Sequence, residues 1–193
     1  MKLEKFKKYY ENYKFQIDYK IYSEEMLNYI QSLDCWVVSP GGVGTTTFIN
    51  YLNNYIKTNS VLDEDKLKHK KRPPRNIQKN LKIIFLTGNP KHIVNSLKNR
   101  QLGNNLSFYF IQFLKLESPF RFISTINKKE SRFLKLIKKQ ELNWLSKNKS
   151  LNILRIDYEN LFESAEEISK FLEIYTPEFI ENFPKRKKRI SYK

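Results

Sequence analysis

Three of the chain's five glycines fall within Ser39-Pro40-Gly41-Gly42-Val43-Gly44-Thr45-Thr46-Thr47, and the three threonines run on without a break. Glycines at this density let successive backbone N–H groups turn toward one point, and hydroxyls beside them add donors. An apolar run, Cys35-Trp36-Val37-Val38, leads in, and Phe48, Ile49, Leu52, Tyr55 and Ile56 follow at helical spacing. Strand, glycine turn and helix N-terminus together make a cradle for a phosphate-like anion. The competing reading is an ordinary strand-to-helix turn, with glycine supplying positive φ and threonine capping the helix.

Other elements have to place this loop. Residues 1–33 read as a helical N-terminal extension in one or two pieces. Phe6, Tyr9, Tyr10 and Tyr13 share one face, Ile21, Met26, Leu27 and Ile30 another, and Ser23-Glu24-Glu25 provides a cap. The glycine loop's helix is expected to reach about Lys57, and residues 58–80 to form a charged loop with at most a short strand near Lys66–Lys70. Leu81-Lys82-Ile83-Ile84-Phe85-Leu86 has the apolar continuity of a buried parallel strand. It ends at Thr87-Gly88-Asn89-Pro90, and a helix over 91–101 follows, with Ile93, Val94 and Leu97 inward. Residues 105–147 read as helical with a break at Ser118-Pro119. Phe108, Phe110, Ile111, Phe113 and Leu114 form either core or a substrate wall; Phe133, Leu136, Ile137, Leu142, Trp144 and Leu145 supply later faces. A third strand over 151–156 leads to Asp157-Tyr158, then a helix over 165–172, and residues 183–193 form a basic tail.

Strands alternating with helices call for an α/β fold: a small, mostly parallel sheet flanked by helices in three layers, P-loop-like, within one domain spanning 1–193. Ligands of such sheets bind beyond the carboxyl ends of the strands. The glycine loop, Gly88-Asn89-Pro90 and Asp157-Tyr158 all follow a strand, so all three fall on that edge.

Composition narrows the chemistry. Lys and Arg exceed Asp and Glu by 36 − 20 = 16, a field that attracts nucleotides, sulfated or phosphorylated groups and polyanions. Lys, Asn and Ile are abundant together, so AT-rich coding accounts for part of that excess. One cysteine, Cys35, excludes an internal disulfide and a multi-cysteine zinc site; it reads as a small apolar thiol in the first strand. His69 and His92 are too few for a typical metal cluster, and no metal is expected. No stretch reads as a signal peptide or membrane span, so a soluble cytoplasmic protein is the expectation. No specific nucleic-acid motif is visible.

Two kinds of phosphate loop compete. Gly41-Gly42-Val43-Gly44-Thr45-Thr46 is close to the Gly-Gly-Val-Gly-Lys-Thr core of deviant Walker ATPases, but Thr45 stands where the phosphate-binding lysine belongs and Pro40 where that group has its second lysine. A hydroxyl does not replace that charge, and strand two ends in Thr87-Gly88 with no Walker-B carboxylate.

From residue 35 to about 175 the chain resembles the sulfotransferases that use 3′-phosphoadenosine 5′-phosphosulfate (PAPS). Gly44-Thr45-Thr46 resembles the Gly-Thr-Thr of their 5′-phosphosulfate loop. Leu67-Lys68-His69-Lys70 stands where that family has a short strand with a catalytic histidine. The stretch from Ile83 to Ser96 resembles the 3′-phosphate element, apolar strand, Arg-Asn-Pro-Lys-Asp and a following serine. Leu154-Arg155-Ile156-Asp157-Tyr158-Glu159-Asn160-Leu161, with Phe171-Leu172 behind it, resembles the Tyr-Glu-Asp-Leu element and its helix.

The resemblance implies PAPS as sulfuryl donor and an acceptor hydroxyl or amine, a glycan among the candidates. It implies a phosphosulfate site from the N–H groups of Gly42, Val43, Gly44, Thr45 and Thr46 with the hydroxyls of Thr45, Thr46 and Thr47. Ser96 would bond the 3′-phosphate, Tyr158 would lie near the adenine, His69 would act as base, and Lys68 or Lys66 would stabilise the leaving oxygen. The chain also departs from the family. The loop lysine is Gly42, the 3′-phosphate arginine is Gly88, and His92 replaces the acidic residue. Two lost cations cost a few kcal/mol of binding; Arg72, Arg75, Arg100 and the tail cations Arg186, Lys187, Lys188 and Arg189 are the available substitutes. The alternative is a catalytically impaired P-loop-fold protein that binds a nucleotide, a sulfated glycan or nucleic acid through its basic surface.

Overall fold

The computed structural model describes residues 22–99, 130–146 and 150–186. Three parallel strands, β1 (Cys35–Val38), β2 (Lys82–Thr87) and β3 (Ile153–Asp157), pair in the order β1-β2-β3. The register sets Val37 beside Ile84, Ile84 beside Leu154, and Leu86 beside Ile156. Parallel neighbours need crossovers: α1 (Glu24–Gln31) precedes β1, α2 (Thr45–Leu52) lies between β1 and β2, α3 (Pro90–Asn99) and α4 (Glu130–Glu141), running into a π turn (Leu142–Ser146), lie between β2 and β3, and α5 (Ala165–Leu172) and α6 (Pro177–Glu181) follow β3.

Both sheet faces are covered, which is why β2 is apolar without a break from Ile83 to Leu86. On one face Cys35, Val37, Ile84, Leu86 and Ile156 meet Phe48 and Leu52 of α2, Ile93 and Val94 of α3, and Ile168 of α5. On the other, Trp36, Val38, Ile83 and Phe85 meet Ile30 of α1, Leu67 and Trp144. Trp36 and Trp144 are edge-to-face with ring centroids 5.0 Å apart. Side chains of this size each contribute about 1.5–3 kcal/mol on burial.

Local chemistry fixes the ends. Ser23 caps α1, its Oγ accepting from Met26 N at 3.1 Å. Lys82 Nζ lies 3.0 Å from Leu172 O, the last carbonyl of α5, where a cation opposes the helix dipole. The edge of β1 away from β2 is covered by irregular chain: Asn59 Oδ1 accepts from Val37 N at 2.8 Å and Lys68 O from Ser39 N at 2.9 Å.

Several expected boundaries move. The second helix stops at Leu52 rather than Lys57, because residues 53–56 tighten into turns. Residues 66–70 form no strand; the one bridge on that side pairs Cys35 with Thr58. Leu142 is exposed, while Ile137 and Trp144 are buried as the helical spacing implied. The aromatic stripe at Phe6, Tyr9, Tyr10 and Tyr13, Ile21, Arg100, the block from Phe108 to Leu114, the Ser118-Pro119 break and the run Lys187 to Arg189 lie outside the described residues, as do the side chains of Leu97 and Phe133. Among the described residues no helix is long and apolar enough to cross a membrane.

Candidate functional site

The three strand-end segments meet. Gly41, Gly42 and Gly44 have φ of 92°, 71° and 71°, so each uses the left-handed region that glycine enters without strain. Tyr158, at the end of β3, places its Cε2 atom 2.9 Å from where a Cβ on Gly44 would stand. A Cβ on Gly88 would lie 3.4 Å from both Tyr158 Cβ and Val43 Cγ1. On the other flank, a Cβ on Gly42 would lie 3.3 Å from Ser96 Oγ and 3.4 Å from the carbonyl of Ile93, both on α3. Gly42, Val43, Gly44, Ser96 and Tyr158 therefore converge. Of the places where the resembling family carries a lysine and an arginine, Gly42 is crowded and left-handed, whereas a Cβ on Gly88 would meet only ordinary van der Waals contacts.

Six consecutive backbone N–H groups, those of Gly42, Val43, Gly44, Thr45, Thr46 and Thr47, have no acceptor among the described residues. Open N–H groups are normal over the first turn of a helix. They are abnormal at Gly42 and Val43, which precede the helix and are buried. The loop holds its shape through Ser39: its Oγ accepts from Gly41 N at 3.1 Å and lies 2.7 Å from Thr45 Oγ1. That bond turns the buried Thr45 hydroxyl inward, away from the role expected of it, whereas Thr46 and Thr47 are exposed at the helix start.

His69 and Lys68 are not on an exposed charged loop. Both are 2 % exposed. His69 Nδ1 is 2.9 Å from Ser39 O. A carbonyl only accepts, so Nδ1 carries the proton, and in the neutral ring Nε2 is the basic nitrogen. Lys68 Nζ donates to Val61 O and lies 3.5 Å from Thr46 Oγ1, which brings one ammonium to the first turn of α2. Lys66, the other candidate for the leaving oxygen, sits at a left-handed turn with φ of 57°. His69 and Lys68 thus flank the loop from the β1 side, and Ser96 and Tyr158 from the β2 and β3 side.

Charges around this edge are mostly paired. Arg186 binds Glu159, whose other oxygen is 3.7 Å from His92 Nδ1. Phe183, packed on Phe48 and Tyr51, guides the tail there, a contact that sequence periodicity could not reveal. Arg155 joins Glu141 and Asp157 at 3.0 Å each. Arg72 and Arg75 are exposed beyond the His69 segment. Among the described residues no cluster of three or more His, Cys, Asp or Glu side chains is arranged to hold a metal. A cavity of about 360 Å³ opens at the opposite end of the sheet, between Gln31, Asp34, Gln78, Lys82 and Leu172, remote from the loop.

Compared with protein-family models, with curated proteins and with solved structures, the chain matches none. The functional reading therefore rests on the loop and its surroundings alone.

Proposed function

We propose that this protein is a P-loop-like sulfotransferase that binds PAPS at the Gly42–Thr47 loop and passes its sulfuryl group to an acceptor hydroxyl or amine. One observation carries the reading: the run of six backbone N–H groups at the end of β1 that find no acceptor among the described residues, two of them in buried residues ahead of the helix. Buried donors require an acceptor, and an oxyanion is the acceptor that such a nest suits.

The acceptor oxygen or nitrogen attacks sulfur in line with the bond to the 5′-phosphate. A bond to sulfur forms, the sulfur–oxygen bond to phosphate breaks, and its electron pair stays on the phosphate. The acceptor's proton passes to Nε2 of His69, the nitrogen left basic by the bond between Nδ1 and Ser39. Lys68, beside Thr46, stabilises charge on the departing oxygen and supplies the cation that Gly42 and Gly88 do not. Ser96 and Tyr158 flank the nucleotide. Calorimetry with adenosine 3′,5′-bisphosphate, ATP and a DNA oligomer tests this: bisphosphate binding alone supports it, and no heat at millimolar bisphosphate sinks it.

A second reading is favoured by one feature. At Gly42, where the family's loop lysine stands, a left-handed backbone and the close approach of Ser96 and Ile93 disfavour any side chain. A protein that keeps the nest but binds a polyanion without transferring sulfate would bind the oligomer or a sulfated glycan in preference to the bisphosphate.

A further inference from the structure

Residues 67–72 carry Lys68 and His69 but belong to no strand, so their carbonyls need partners outside a ladder. Side chains provide most of them. Trp36 Nε1 donates to Leu67 O at 3.1 Å, and the backbone N–H of Ser39 donates to Lys68 O at 2.9 Å. Gln140 Nε2 and Trp144 Nε1 both donate to Lys70 O, each at 2.9 Å. Asn143 Nδ2 donates to Lys71 O at 3.2 Å, and Tyr22 OH donates to Arg72 O.

Three of these donors come from the end of α4 and its π turn. A π turn changes the angular spacing of the residues it holds, and here Gln140, Asn143 and Trp144 all reach one segment. Gln140 reaches further: its Nε2 is also 3.3 Å from Ser39 O, the carbonyl that accepts from His69. The amide thus bridges the carbonyls on either side of the histidine. Its own Oε1 is buried and has no partner among the described residues. A buried acceptor left unpaired is unfavourable, so Gln140 is not the choice that stability alone would make.

We propose that Gln140 and Trp144 are positioning residues that clamp the His69 segment onto the anion loop and lock His69 as the Nδ1–H tautomer. The clamp stands on geometry; only the use of Nε2 as a base rests on the proposed transfer reaction. Because α4 also packs against α3, which carries Ser96, the same helix braces both flanks of the loop.

Nitrogen-15 NMR of the full chain tests the clamp, since His69 and His92 are its only histidines and His92→Gln assigns them. Above the imidazole titration range, His69 is expected to show a protonated Nδ1 and an unprotonated Nε2. Gln140→Met with Trp144→Phe strips both side-chain donors from Lys70 O and is expected to give a mixture of tautomers at unchanged far-ultraviolet circular dichroism. Each single variant keeps one donor and is expected to hold the tautomer while His69 Hδ1 exchanges about tenfold faster with solvent. Exchange at the wild-type rate in both singles overturns the proposal, even if the double variant fails to fold. So does a wild-type His69 protonated at Nε2, or a folded double variant with one fixed Nδ1–H tautomer. Bisphosphate calorimetry on the same samples is a separate readout: lack of binding removes the transfer reaction and leaves the tautomer result to decide the clamp.

Discussion

His69 Nδ1 lies 2.9 Å from the carbonyl of Ser39, the residue whose hydroxyl also bonds the loop at Gly41 and Thr45. One residue therefore couples the proposed base to the proposed anion cradle. His69→Gln separates the two functions, because a glutamine amide can still donate to Ser39 O but has no basic nitrogen. Bisphosphate affinity is expected to stay within about threefold by calorimetry. Transfer of radiolabelled sulfate to a panel of glycans and phenols is expected to fall by about 10²–10⁴-fold. Loss of bisphosphate binding instead would make His69 part of the cradle.

Lys68 is expected to govern anion affinity. It is the cation that reaches the first turn of α2, 3.5 Å from Thr46 Oγ1. Lys68→Met keeps much of the buried stem and removes the charge. A hydrogen bond to a charged group is worth about 1.5–3 kcal/mol, so bisphosphate binding should weaken by about 10–150-fold. Titrations from low to high salt should also show a shallower salt dependence than wild type. Unchanged affinity and slope would mean that Val61 O, not a ligand, is this ammonium's working partner.

How much of this was legible in the chain differs by element. Continuous apolar stretches marked β1 and β2, because both faces of each strand are buried and leave no polar alternation to misread. The helix over 165–172 has its expected limits, since Ile168 and Leu172 are spaced for one face. The glycine loop and its encounter with Tyr158 followed from strand ends lying on one edge. The setting of His69 did not follow. Lys68-His69-Lys70-Lys71-Arg72 reads as a solvated charge run, and only the chain's return across Trp36, Gln140 and Trp144 buries its first three residues. No local pattern encodes carbonyl partners so distant in sequence. The inward turn of Thr45 was hidden for a related reason: it depends on Ser39, across the loop, rather than on threonine's own preferences.

Asp65 gives stability an inverted pH dependence. Its carboxylate accepts from Ser60 N and Leu67 N, but burial outweighs those bonds and raises its pKa above the ordinary 3.8. A folded-state value above the unfolded one means the folded state binds the proton more tightly. The ionised form therefore costs stability at neutral pH, and that cost is relieved as pH falls through the raised value toward 3.8. Urea unfolding of wild type and Asp65→Asn between about pH 7 and pH 4 checks it. The difference between them should shift toward wild type as pH falls; a shift toward Asn would reverse the sign assigned to burial.

Gly44 and Tyr158 should be coupled energetically. An alanine at 44 meets two separate penalties: φ of 71° for a residue with a Cβ, and a contact of 2.9 Å with Tyr158 Cε2. Left-handed strain alone costs about 1 kcal/mol, and the clash forces the ring or the loop to shift, so Gly44→Ala is expected to lose about 2–3 kcal/mol. Tyr158→Leu removes the ring edge and loses its packing on Phe162, whose centroid is 5.6 Å away. In the double variant the clash has no second partner and only the φ strain remains. The two single losses should therefore exceed the double loss by about 1–2 kcal/mol in denaturant melts, a coupling well above the scatter of independent sites. Simple additivity would show that the tyrosine moves aside at no cost, and that the close approach of β3 to the loop does not hold the cradle's shape.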